Sequence, residues 1–124
     1  ETARPDGQLG EAIQALLDAG LVDTFGDGDE LAPGVVAEWT GMHHAGHCAF
    51  HVGTAPIAAT FVGHLAVTPL HLATGPCPPQ HAAPEQAWQW LTAVAADPER
   101  VLIGPLWPSP GALRWHGDQP VAVG

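Results

Sequence analysis

Lysine, asparagine and tyrosine are missing from this 124-residue chain, and Arg4, Arg100 and Arg114 are its only fixed cations. So little positive charge argues against a nucleic-acid surface, which draws on clustered Lys and Arg to neutralise phosphate. It argues equally against binding to an anionic membrane surface. Cys48 and Cys77 are too few for a disulfide scaffold, although they could pair in an oxidising compartment. Ser109 is the single serine and lies between two prolines, so a Ser-His-Asp triad has only an awkward nucleophile. No glycine-rich phosphate loop is present either.

Ala55–Thr74 has the length of a membrane span but holds His64, His71, Pro56 and Pro69, and no cations flank it. No basic stretch leads into an apolar one, so no signal peptide is expected. A soluble chain, with the cytoplasm favoured, is the expectation.

What is present is acid and imidazole. The formal net charge is −10, and nine of the 13 acids fall in residues 1–38. From 39 to 84 there is no Lys, Arg, Asp or Glu, yet this stretch holds seven of the eight histidines and both cysteines. An apolar fraction of 46% suits a globular protein. One domain over 1–124 is expected: an acidic helix–hairpin module (1–38), a charge-free His-rich segment (39–84), and a helix with a terminal hairpin (85–124).

Leu9, Ile13, Leu16 and Leu17 have helical spacing, with Asp6 as N-cap and Gly20 as the stop. A hairpin is expected around Gly26–Asp29, its arms at 21–25 and 30–32. The acidic turn lacks the D-x-D-x-D-G spacing of a calcium loop and reads as solvated. Ile57–Val62 and His64–Leu72 read as β runs, the second limited by Pro69. Pro84 and Glu85 open a second helix ending at Asp97-Pro98, with an apolar stripe of Trp88, Leu91, Val94 and Ala95. Val101–Ile103 is a buried strand, and 112–115 with 121–123 form a last hairpin. The fold class is α+β: two main helices packed on a short, mostly antiparallel sheet with hairpins. Leu16, Leu17, Leu91 and Val94 are expected to be buried. The five tryptophans are read as core and rim packing.

The sequence M-H-H-A-G-H-C-A-F-H at 42–51 concentrates the chemistry. As a helix, 42–52 places His43, His47 and His51 one turn apart, about 5–6 Å, so that they can share a metal ion. As a strand, residues four apart are about 13 Å apart, and ligands must come from other strands, His64 and His71 first. In that case Cys48, Phe50 and Val52 would form the core face.

The expected function is transition-metal binding through His43, His47 and His51, with His44, Cys48, His64 and His71 as further candidates. Zinc is favoured, with copper and nickel as alternatives, because neutral imidazole suits them better than calcium or magnesium. An open position on zinc would support hydrolysis or hydration. The zincin motif is absent, since His44 rather than Glu follows His43. Two other readings stand beside this one: an acidic accessory protein that neutralises a basic partner, and a His-based pH-responsive element. His81 is expected to be silent.

Overall fold

A computed structural model of the chain describes residues 8–53, 58–69, 71, 80–97, 99–107, 112–117 and 119–123. The elements run α1 (Gln8–Asp18), β1 (Glu30–Ala32), β2 (Val35–Trp39), β3 (Cys48–Val52), β4 (Ala58–Phe61), a 3-10 turn (Gly63–Ala66), α2 (Pro84–Ala95), β5 (Arg100–Ile103), β6 (Ala112–His116) and β7 (Gln119–Val123). The seven strands form one sheet in sequence order, antiparallel throughout except where β4 and β5 pair in parallel. A parallel pair needs a long crossover, and α2 lies on it. The fold is α+β, as the sequence pattern indicates.

α2 starts where Pro84 can lack a donor without loss, and Glu85 favours the positive end of the helix dipole. Ala87, Leu91 and Ala95 recur at four-residue steps and are buried with Val62, Leu65, Ala66 and Leu102. Trp88, Trp90, Val94 and Trp107 close the edges of that core. Cross-strand partners share a face, so Glu38, Ala49, His51, Thr60, Arg100 and Leu102 stand on one side of the sheet. Trp90 of α2 bonds to Glu38, which identifies this as the helix-covered side.

Several expectations need correction. Residues 21–25 are not a strand; β1 turns through Pro33-Gly34 onto β2, with Gly34 at φ +75°. The run from His64 is a 3-10 turn, because Gly63 at φ +54° breaks the extended path after β4. α1 forms and stops at Gly20 (φ +65°), but Leu16 and Leu17 are 45% and 43% exposed. An amphipathic stripe shows which side a helix would bury, not that anything lies against it. Leu91 is fully buried and Val94 partly. Asp6, Cys77 and Ser109 lie outside the described residues. Among the described residues no helix is long and apolar enough to cross a membrane.

Candidate metal centre

The 42–52 segment is neither the helix nor a continuous strand. Residues 40–47 are a loop, and only from Cys48 does the chain extend as β3. Two glycines shape that loop: Gly41 takes φ +61°, and Gly46 donates its N–H to His44 Nδ1 at 3.1 Å. The N–H groups of Thr40 and Gly41 both reach the His47 carbonyl, closing the loop at the start of β3. Because β4 runs antiparallel to β3, its C-terminal end returns beside that loop and carries Gly63 and His64 with it. Ahead of α2, Ala82 and Ala83 donate to the carbonyls of His43 and Met42, which brings His81 alongside.

Five histidines therefore meet at one end of the sheet. The His43 ring lies 5.3 Å from His44, 5.7 Å from His47, 5.2 Å from His64 and 5.0 Å from His81, centroid to centroid. His47 and His81 are buried. Burial lowers the pKa of His43, and repulsion from His81, His64 and His44 lowers it further. Burial likewise brings His47 down to about 4, helped by His43, His44, His64 and His81. Both rings are thus biased toward the neutral form, and His47 stays neutral well below the usual imidazole range.

The hydrogen bonds assign the protons. His81 Nε2 faces the Leu65 carbonyl at 3.3 Å, which can only accept, so the proton is on Nε2 and Nδ1 carries the lone pair. His43 Nδ1, 3.1 Å from His81 Nδ1, must then donate, leaving its own Nε2 with a lone pair. The Thr40 hydroxyl donates to the His47 carbonyl at 3.1 Å and accepts from His47 Nδ1 at 2.7 Å. His47 Nε2 is likewise left with a lone pair. A ring with one nitrogen held by a hydrogen bond and the other bare is the form in which imidazole binds metals. His44 differs: its Nδ1 accepts from Gly46, so it braces the loop.

The remaining expected residues lie elsewhere. His51, the third member of the expected helical set, stands in β3 with both nitrogens engaged. Arg100 Nη1, purely a donor, bonds to His51 Nδ1 at 3.1 Å and to Thr60 Oγ1 at 2.9 Å. His51 Nε2 then donates to Glu38 Oε2 at 2.6 Å, while Trp90 donates to the other oxygen of Glu38. This network ties four strands to α2 and leaves His51 no free donor atom for a metal. Cys48 turns to the opposite face, beside Trp39, and the expected Cys48-Phe50-Val52 core face is not the side that α2 covers. His71 Nδ1 accepts from the Thr68 N–H at 3.2 Å. His81, expected to be silent, is instead inside the cluster; its approach to His43 spans 38 positions and leaves no local sequence signal.

As the side chains stand, no three His, Cys, Asp or Glu groups among the described residues are placed to hold one ion together. The donor chemistry fits a transition metal, whereas the prepared donors number two.

No protein-family model and no curated protein sequence matches the chain. Solved structures do. The crystal structure of hydrolase AbOPH in the beta lactamase superfamily matches with a TM-score of 0.65 and 18% identity, over 89% of this chain and 40% of that one. A probable metal-dependent hydrolase from Staphylococcus aureus gives 0.67 and 14%, over 82% and 38%. AidC, a dizinc quorum-quenching lactonase solved with a product, gives 0.62 and 13%, over 92% and 42%. The chain thus spans about two fifths of the length of each. At such identities the likeness is one of architecture, and over the matched part the chain has the metallo-beta-lactamase fold.

Proposed function

We propose that this chain is the metal-binding part of a metal-dependent hydrolase, with the ion at the His43, His47 and His64 end of the sheet. One observation carries the reading: hydrogen bonds to His81 and Thr40 leave His43 and His47 each with a bare Nε2, their rings 5.7 Å apart. Zinc is the favoured ion, since neutral imidazoles of low basicity suit it and fold neighbours include a dizinc lactonase. Bound zinc supplies Lewis acidity toward water and carbonyl oxygen. His64, its ring 5.2 Å from His43, is the nearest third donor and needs a side-chain rotation to converge. His81 and Thr40 orient the two ligand rings as outer partners do in metal sites. His44, Cys48, His51 and His71 take no part.

The test is titration calorimetry of untagged protein with zinc, cobalt and copper, backed by elemental analysis. Stoichiometric binding tighter than about 0.1 mM is expected. It should disappear in His47→Ala and persist in His51→Ala. Binding no tighter than that limit for any of the three ions, or loss in His51→Ala alone, overturns the assignment.

A further inference from the structure

Two rings of the cluster are ready for an ion as they stand. His81 takes the Nδ1 proton of His43 and Thr40 takes that of His47, so each ring presents a bare Nε2. The other three imidazoles offer nothing comparable. His81 uses both nitrogens, on His43 and on the Leu65 carbonyl. His44 accepts from Gly46 through Nδ1, so its Nε2 carries the proton. His64 has to rotate before it can converge, and no three ligating groups among the described residues meet.

The spacing of the pair favours a wide angle at the ion. With metal–nitrogen bonds of ~2 Å and a ring radius added, two rings on one ion have centroids ~6 Å apart when opposed and ~5 Å apart at a tetrahedral angle. His43 and His47 are 5.7 Å apart. Charge points the same way. Residues 39–84 contain no Asp or Glu, and Glu38, next along the chain, is turned to His51 and Trp90. Two neutral imidazoles therefore leave the whole charge of an ion uncompensated, at a site where His47 is buried. The cost of taking an ion out of water rises as the square of its charge, so a monovalent cation loses far less than a divalent one. The sulfur groups nearby in sequence do not compete, since Met42 is buried with Val62, Leu65 and Leu91 and Cys48 lies on the opposite face of the sheet.

We propose that His43 Nε2 and His47 Nε2 form a two-coordinate site for a soft, closed-shell monovalent cation, copper(I) or silver(I). Such ions are satisfied by two opposed nitrogen donors, where zinc asks for four ligands. The proposal rests on the same two donor atoms as the hydrolase reading, but it needs neither zinc nor His64.

Copper(I), kept reduced by ascorbate under nitrogen, is titrated into the full chain in competition with bathocuproine disulfonate. Cys48 and Cys77 are replaced by serine so that thiols take no part. Stoichiometric binding is expected, with X-ray absorption at the copper edge counting two nitrogen neighbours. His43→Ala and His47→Ala should each abolish it, whereas His44→Ala and His64→Ala should retain it. Thr40→Val, which leaves His47 Nδ1 without its acceptor, should weaken it about tenfold. Absence of stoichiometric copper(I), a count of three or more nitrogens, or loss in His64→Ala overturns the inference. So does copper(I) retained in His47→Ala, which is what scattered histidines would give. Zinc titrated into the same proteins separates the two readings. Failure of zinc alone overturns the hydrolase assignment, and failure of copper(I) alone overturns this one.

Discussion

His43 Nδ1 stands 3.1 Å from Nδ1 of His81, a residue 38 positions further along the chain. Two ring nitrogens at that distance share one proton, so the pair is stable only while at least one ring is neutral. His81 is 5% exposed and bridges His43 to the Leu65 carbonyl. Replacing it with alanine should cost about 1–3 kcal/mol, the usual loss for a buried partner in two hydrogen bonds. Urea unfolding at pH 8 with chelator present measures this, and a loss under ~0.5 kcal/mol would show that the bridge is dispensable.

Gly63 is the second sensitive position. It sits at φ +54°, and a Cβ added there would lie 2.7 Å from His47 Nε2. Gly63→Ala must twist the backbone or turn the His47 ring away from Thr40. We expect a loss of about 1–3 kcal/mol, accompanied by weaker zinc binding. Unchanged affinity would mean that His47 Nε2 is not a ligand atom.

Acidity should act through His47 and His43. The unfolded His47 titrates near 6.5, whereas the folded ring does so at about 4. Between these values the unfolded chain binds more protons, so stability falls as pH drops from about 6.5 toward 4. Above 6.5 both states are neutral and this group adds no slope. Thermal melts between pH 8 and 4 should show the decline, and His47→Gln should flatten it. A melting temperature that rises on acidification would contradict the low pKa.

Leucines on the two helices should behave oppositely. Leu91 is fully buried under β5, so Leu91→Ala should cost about 2–5 kcal/mol. Leu16 is 45% exposed, and Leu16→Ala should cost less than ~1 kcal/mol. Denaturant midpoints of the two variants check both at once.

What could be read from the residues was whatever local order decides. α2 announces itself by Pro84, Glu85 and a four-residue apolar repeat; β5 and the β6–β7 hairpin follow from β-branched residues and a Gly-Asp turn. The concentration of imidazole at 43–47 and the candidacy of His64 were visible as well. The local conformation of 42–52 was not, because Gly41 and Gly46 end both periodicities at once. The hydrogen bonding of His51 leaves no local signal, because its partners, Glu38, Thr60 and Arg100, come from three other strands. The membership of His81 and the exposure of α1 are decided by contacts made, or not made, far away in sequence.

Pairing β4 with β5 in parallel orders events in time. Arg100 reaches Thr60 across 40 positions, and no rung of that ladder forms until the intervening chain has closed. Closure of such a loop is an entropic cost met before any contact rewards it, which makes this a slow step of folding. His64 and His81 lie inside the closing loop, whereas His43, His44 and His47 precede it. The cluster therefore joins rings that precede β4 to rings on the crossover that follows it. An ion that needs both binds the folded chain and not the unfolded one, and so pulls the folding equilibrium forward by mass action.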